Sequence, residues 1–156
     1  MHTLTARCAI SDLIFNVAKG RIAAYASLPA TNDALIIVVL ESAGLVSDAT
    51  MRDYDTLADI LAGATNEQTT MGRKTAASVT VTVDDTNDRV DIDMADPTWT
   101  AATGSAVGAL VVCYDPDTTG GADADLIPLS KHDFVVTPNG GDITGTVTVG
   151  GFQRAS

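Results

Sequence analysis

Aromatic side chains are scarce in this sequence: three Phe, three Tyr and one Trp, 4% of 156 residues. Val, Ile, Leu and Ala must therefore fill most of any core, and a sugar would find few rings to stack on. Basic residues are also few. Nine Lys and Arg stand against 20 Asp and Glu, for a net charge of -11 and a pI of about 4.2. Phosphate binding needs a basic face, so this balance argues against nucleic acid and none is expected as a partner. The charge suits a soluble protein, or one that docks on a basic surface. Cys8 and Cys113 are the only cysteines. Far apart and without a C-x-x-C pair, they make neither a zinc site nor a disulfide framework, which is compatible with folding in a reducing cytoplasm. Cys113, inside "ALVVCY", reads as a small buried hydrophobe. No apolar run reaches the roughly 20 residues that span a bilayer. The opening "MHTLTARCAISDLIF" lacks the charged start and clean apolar stretch of a signal peptide, so no membrane partner is expected.

Catalytic signatures are missing as well. The sequence has no phosphate loop, dinucleotide fingerprint, H-E-x-x-H or G-x-S-x-G elbow. Its two histidines, His2 and His132, lie far apart. His2 is close to a terminus, and His132, after Lys131 at the start of an expected strand, reads as a surface or edge residue rather than a base. The expectation is a non-enzyme with no catalytic residue and no cofactor.

What is present is a folded chain. Hydrophobic residues make up 46% and the mean hydropathy is +0.19, too apolar for disorder, and the length fits one domain. It divides into an arm at 1–9, a helix–strand–helix part at 10–63 and a β-rich part at 73–149. In "ISDLIFNVAKGRIAAY", Ile10, Leu13, Ile14, Val17, Ala18, Ile22 and Tyr25 follow i, i+3, i+4, i+7 spacing, which predicts a helix over 10–25. Ser11 or Asp12 would cap it, and Gly20 is its weak point. "ALIIVVLES" predicts a strand buried on both sides. "MRDYDTLADILAG" predicts one short capped helix ending at Gly63.

Beyond Lys74 the period becomes two. Val79, Val81 and Val83, then Val90, Ile92 and Met94, alternate with polar residues around "DDTNDR". That pattern predicts a hairpin turning at Thr86-Asn87, with Val81, Val83, Val90 and Ile92 buried and Thr82, Asp91 and Asp93 outside. "AVGALVVCY", "DFVVTP" and "DITGTVTV" are further strands, the last two joined by the turn signal "PNGG". Trp99, alternating with Thr98 and Thr100, reads as a core anchor. Helices first and strands later imply α+β, mainly an antiparallel sheet or sandwich with an N-terminal helix and one short helix.

Acidic clusters are the only candidates for site chemistry. In "DDTNDR", Arg89 takes the fifth position of a calcium loop counted from Asp85, where a cation would repel the ion, so the cluster reads as a turn. "YDPDTTGGADADLIPL" fits better. Counted from Asp115, Asp117 is third, Thr119 fifth, Gly120 sixth and Asp123 ninth. The closing Glu is replaced by Leu126 and the flanks are strand-like, which excludes an EF-hand. A looser metal site at Asp115, Asp117 and Asp123 is the weak candidate. A polar loop, broken by Pro116 and Gly120-Gly121, is the reading preferred here.

Several stretches carry a resemblance: "NDALIIVVLE", "DYDTLADILAG", "DDTNDRVDIDMADPTWTAATG", "GALVVCYDPDTTGGADADLIPLSKHDFVVTPNGGDIT" and "GFQRAS". Together they resemble small structural proteins of tailed bacteriophages, especially phages of actinobacteria, encoded near the capsid genes. "DDTNDR" with "DPTWT", and "CYDPDTT" with "IPL" and "HDF", are the most specific parts. The resemblance covers the chain from about residue 10 onward. It implies a virion component without catalytic residues. The expectation is a capsid decoration protein, made in the host cytoplasm, that binds the major capsid protein on the outer shell as a homotrimer. Rival readings are a tail-tube, connector or fibre-associated protein, a calcium- or carbohydrate-dependent host-binding module, and, last, a hydrolase.

Overall fold

The computed structural model describes residues 4–8, 13–148 and 150–155. His2 and the expected helix start with its Ser11 or Asp12 cap lie outside these residues. In chain order the elements are β1 (Leu4–Cys8), β2 (Leu13–Ile14), a 3-10 turn (Asn16–Ala18), α1 (Ile22–Ala26), β3 (Ala34–Glu41), α2 (Asp48–Met51) and α3 (Leu57–Leu61). Strands follow: β4 (Lys74–Thr75), β5 (Thr80–Asp84), β6 (Arg89–Asp93), β7 (Thr98–Trp99), β8 (Val107–Asp115), β9 (Ile127–Val136), β10 (Ile143–Val147) and β11 (Gln153–Ala155). The fold is α+β and mainly antiparallel β, as the alternation and apolar runs predict.

A five-stranded antiparallel sheet, ordered β2-β9-β8-β3-β4, forms the centre. Its inner strands β3 and β8 are continuous apolar runs because both faces are covered. On one face Leu35, Ile37, Val39, Leu110, Val112 and Phe134 pack against Ile22 and Ala26 of α1 and against Ile92, Trp99 and Ile143 of two smaller sheets. Those sheets are ordered β1-β10-β7 and β11-β6-β5. On the other face Val38, Leu40, Val111 and Cys113 meet Met51, Leu57 and Ile60 of α2 and α3, with Leu13 and Phe15. Cys113 is buried, and desolvation pushes its thiol well above the ordinary range, as befits a small hydrophobe. The expected helix–strand–helix and β-rich parts share this central sheet, since β3 pairs with β8.

The helix expected over 10–25 does not form across that span. Leu13–Ile14 is strand, paired with Lys131 and Ser130 of β9, and the N–H of Phe15 donates to the Leu129 carbonyl at 3.2 Å. Leu13 and Phe15 are both buried and two apart, so a strand period was concealed within the helical one. Gly20 then takes φ +76, the left-handed region, which no continuing helix uses. Only Ile22–Ala26 is α-helical. The short capped helix expected at 51–63 forms as α3, over Leu57–Leu61 only, and the separate turn of α2 at Asp48–Met51 precedes it. Thr56 starts α3 with a capping box, its hydroxyl accepting from the Asp59 N–H while the Asp59 carboxylate accepts from the Thr56 N–H. The Asp59 carboxyl is held below its usual range by the Thr56 hydroxyl first and the Thr56 N–H second.

The hairpin turns where expected, with Val81 opposite Ile92 and Val83 opposite Val90. Its burial differs in two places. Ile92 is fully buried and Val81 and Val90 half-buried, but Val83 is 66% exposed. The cause is position: β6 is the middle strand of its sheet, β5 is the edge, and Val83 lies beyond the covered region. Asp91, expected in water, is half-buried between Arg89 at 3.0 Å and Arg154 at 2.7 Å. The "PNGG" turn is present, yet it joins strands of different sheets rather than a hairpin.

Tyr114 provides a pH test of this packing. Its hydroxyl donates to the Asp33 carboxylate at 2.9 Å, and its ring stacks on Tyr25 with centroids 4.8 Å apart. Burial, then the bond to Asp33, pushes the phenol from its usual 10 up to about 12. A raised folded-state value means that this stabilisation is complete below the unfolded value and is lost as pH rises through the folded one. Between about pH 10 and 12, thermal unfolding should therefore show a loss that Tyr114→Phe makes shallower. At neutral pH the substitution should cost about 1–2 kcal/mol, since it removes a hydrogen bond to a charged group and keeps the stack.

Candidate functional site

The acidic loop runs from the end of β8 to the start of β9. Pro116 has no N–H to extend the ladder, and Gly121 takes φ +95, so the chain leaves the sheet. Backbone donors claim its carboxylates one by one. Asp115 accepts from the Asp117 N–H at 3.0 Å. Asp117 accepts from the Thr119 N–H at 3.0 Å and the Thr119 hydroxyl at 2.5 Å. Asp125 accepts from the Ala122 N–H at 2.8 Å. The first two are Asx turns, in which the side chain replaces a backbone acceptor, while Asp125 reaches back three residues to close the Gly120-Gly121 bend. The hydroxyl and then the N–H of Thr119 hold the Asp117 carboxyl below its usual range.

The loop is also tied down from outside. The N–H and hydroxyl of Thr118 both donate to the Asn32 carbonyl, each at 2.8 Å. At the start of α3, the N–H groups of Leu57 and Ala58 donate to the carbonyls of Leu126 and Asp123 at 3.0 and 3.1 Å. Arg73 grips Glu67 with two nitrogens at 2.7 and 2.8 Å and reaches Asp123 with a third at 2.7 Å. The partial exposure of these side chains keeps that bridge modest in energy.

This geometry separates the candidate residues. Asp115, Asp117 and Asp125 border one shallow depression with Pro116, Gly120 and Gly121. Asp123 is engaged by Arg73 instead, and Leu126 is buried in the core below α3. Among the described residues no three His, Cys, Asp or Glu side chains are grouped to hold a metal. Sequence spacing counted Asp123 with the others because it cannot see Arg73, 50 residues away. Millimolar calcium followed by a chelator should leave the melting midpoint unchanged. An occupied site at a hundredfold excess over its dissociation constant would add about 2.7 kcal/mol and several degrees.

His132 requires a correction. It is fully buried, not a surface or edge residue, and its Nε2 lies 3.0 Å from the Ser130 hydroxyl, while its ring meets Phe152 edge-on at 6.0 Å. Sequence reading missed this pair, although two-residue spacing on a strand places both on one face. The contact resembles a nucleophile and base, but both residues have 0% exposure and no substrate reaches them there. Lys131, on the opposite face, is buried too and pairs with Asp48 at 2.9 Å and with Asp133. The acidic hairpin tip is a turn, with Asp84 accepting from the N–H groups of Thr86 and Asn87 and pairing with Arg89 at 3.1 Å. Among the described residues no helix is long and apolar enough to cross a membrane.

No protein-family model, curated protein or solved structure matches this chain.

Proposed function

We propose that this protein is a bacteriophage virion component, and within the virion a capsid decoration protein. It would bind the outer face of the major capsid shell as a homotrimer at three-fold or local three-fold positions. The observation that carries this reading is how the stretches resembling phage structural proteins are placed. "DPTWT" contributes Trp99 and "HDF" contributes Phe134, and the two rings meet with centroids 6.2 Å apart in the same core. "CYDPDTT" adds Tyr114 to that core, and "GFQRAS" adds Phe152. Four of the resembling stretches thus meet in one packed core, while "DDTNDR" and the Asp-rich part of "CYDPDTT" form exposed turns. An excess of acidic over basic residues suits docking on a basic shell. The role is mechanical: each copy ties neighbouring capsomers together by buried area, and closed symmetry lets one small chain serve.

An electron-microscopy map of the particle tests the reading. Density for this chain on the outer head surface supports it, and density in the tail replaces it with a tail-tube or connector role. Particles lacking the protein should still assemble and fill, but release their DNA at lower temperature. A block in head assembly or packaging would overturn the decoration role.

A further inference from the structure

The turn between β9 and β10 contains Asn139-Gly140, the one Asn-Gly step in the chain. This dipeptide has a chemistry of its own. The backbone nitrogen of the following residue can attack the Asn side-chain carbon, and glycine, lacking Cβ, leaves the approach open. The new bond joins Gly140 N to Asn139 Cγ, while the bond from Cγ to the side-chain nitrogen breaks. Ammonia leaves with the amide proton, and a five-membered imide remains. Water then opens either imide carbonyl, leaving Asp or an isoaspartyl linkage with one extra backbone carbon.

Three features of the fold oppose this reaction although Asn139 and Gly140 are exposed. The attacking group is occupied, since the Gly140 N–H donates to the Ala102 carbonyl at 2.8 Å. The electrophile is held, since the Asn139 side-chain oxygen accepts from the Gly141 N–H at 3.0 Å. The turn is closed onto the segment after β7, with the Ala102 N–H donating to the Gly141 carbonyl at 2.9 Å and the Ala101 N–H to the Asp142 carboxylate at 2.9 Å. Pro138 is buried just before it, and Ile143, fully buried, opens β10 just after.

We propose that Asn139 is a latent self-modification site, protected while the 138–142 turn is clasped to Ala101-Ala102 and converted to Asp or isoaspartate when that clasp opens. Opening a local unit costs less than global unfolding, so the reaction would record the breathing of this turn rather than of the whole core. Conversion places a new negative charge near Asp142. The isoaspartyl form also lengthens the backbone at the entrance to β10, the middle strand of its sheet.

Peptide mapping by mass spectrometry tests this on the full chain, incubated at mildly alkaline pH either folded or in urea. Conversion at Asn139 should be at least about tenfold slower in the folded protein. Asp142→Ala removes one clasp bond and should speed conversion several-fold while circular dichroism stays native. Hydrogen exchange of the wild-type protein should show a protected Gly140 amide, a readout that survives if the variant fails to fold. Equal rates in folded and unfolded chain, an unprotected Gly140 amide, or a folded Asp142→Ala protein that converts at the wild-type rate would each overturn the proposal.

Discussion

Trp99→Ala is expected to lower the unfolding free energy by about 3–5 kcal/mol, among the larger costs for core truncations. Trp99 is 1% exposed and packs on Phe134 with ring planes tilted by 49°. It stands on β7, opposite Ile143 of β10, yet reaches a ring of the central sheet, so one side chain joins two sheets. Its indole N–H donates to the Gly72 carbonyl at 3.0 Å. Alanine leaves a cavity and removes that donor together. Domains are commonly stable by only about 5–15 kcal/mol, so this single change removes a large part of the total. The midpoint should fall by roughly 10 °C. Trp99→Phe separates the two contributions, retaining most of the packing and costing about 1–2 kcal/mol for the lost hydrogen bond and smaller ring. Circular dichroism in urea is the measurement, because the variants lack the only tryptophan. A cost below about 1 kcal/mol for alanine would show that the sheets are held together elsewhere.

Gly151→Ala should be comparably damaging for a different reason. A Cβ at this position would lie 2.0 Å from the Ile92 carbonyl oxygen and 2.6 Å from its carbon, and φ is +87. Backbone atoms cannot move aside like the end of a flexible side chain. The N–H of Phe152 donates to that same carbonyl at 3.0 Å, so relief of the clash pulls Phe152 out of the core and β11 away from β6. Strain at a left-handed position and overpacking together should cost about 2–5 kcal/mol. Gly140→Ala is the matched control. Its φ is also +87, but a Cβ there meets nothing within 4 Å, so only the backbone cost of about 1 kcal/mol should appear. Equal losses at the two glycines would show that the close approach to Ile92 is not what constrains the C-terminal strand.

The acidic loop shows how far spacing can be read. Its aspartates, Pro116 and the glycine pair were sufficient to predict a polar loop between strands. They were also sufficient to rule out an EF-hand, because Leu126 replaces the closing ligand. The partner of Asp123 was not legible, since Arg73 approaches from a segment distant in sequence. His132 was misread for a related reason. A polar residue beside Lys131 looks exposed until Phe152, from the C-terminal segment, closes over it.

Amino-acid order was enough for the class of fold, the double-sided strand β3, the hairpin turn at Thr86-Asn87 and the burial of Cys113 and Trp99. These follow from local periodicity and turn chemistry, which act over a few residues and need no partner. Long-range pairing chose the rest. The 13–18 stretch carried apolar residues compatible with both periods, and the open edge of β9 drew Leu13 and Ile14 into a strand. Val83 and Val90 face each other across one ladder, yet Val83 is the more exposed because β5 is an edge strand and β6 is central. Burial of a residue depends on what else the chain brings against it, and backbone hydrogen-bonding demand at a sheet edge outweighs the small differences in helix propensity that a short sequence can express.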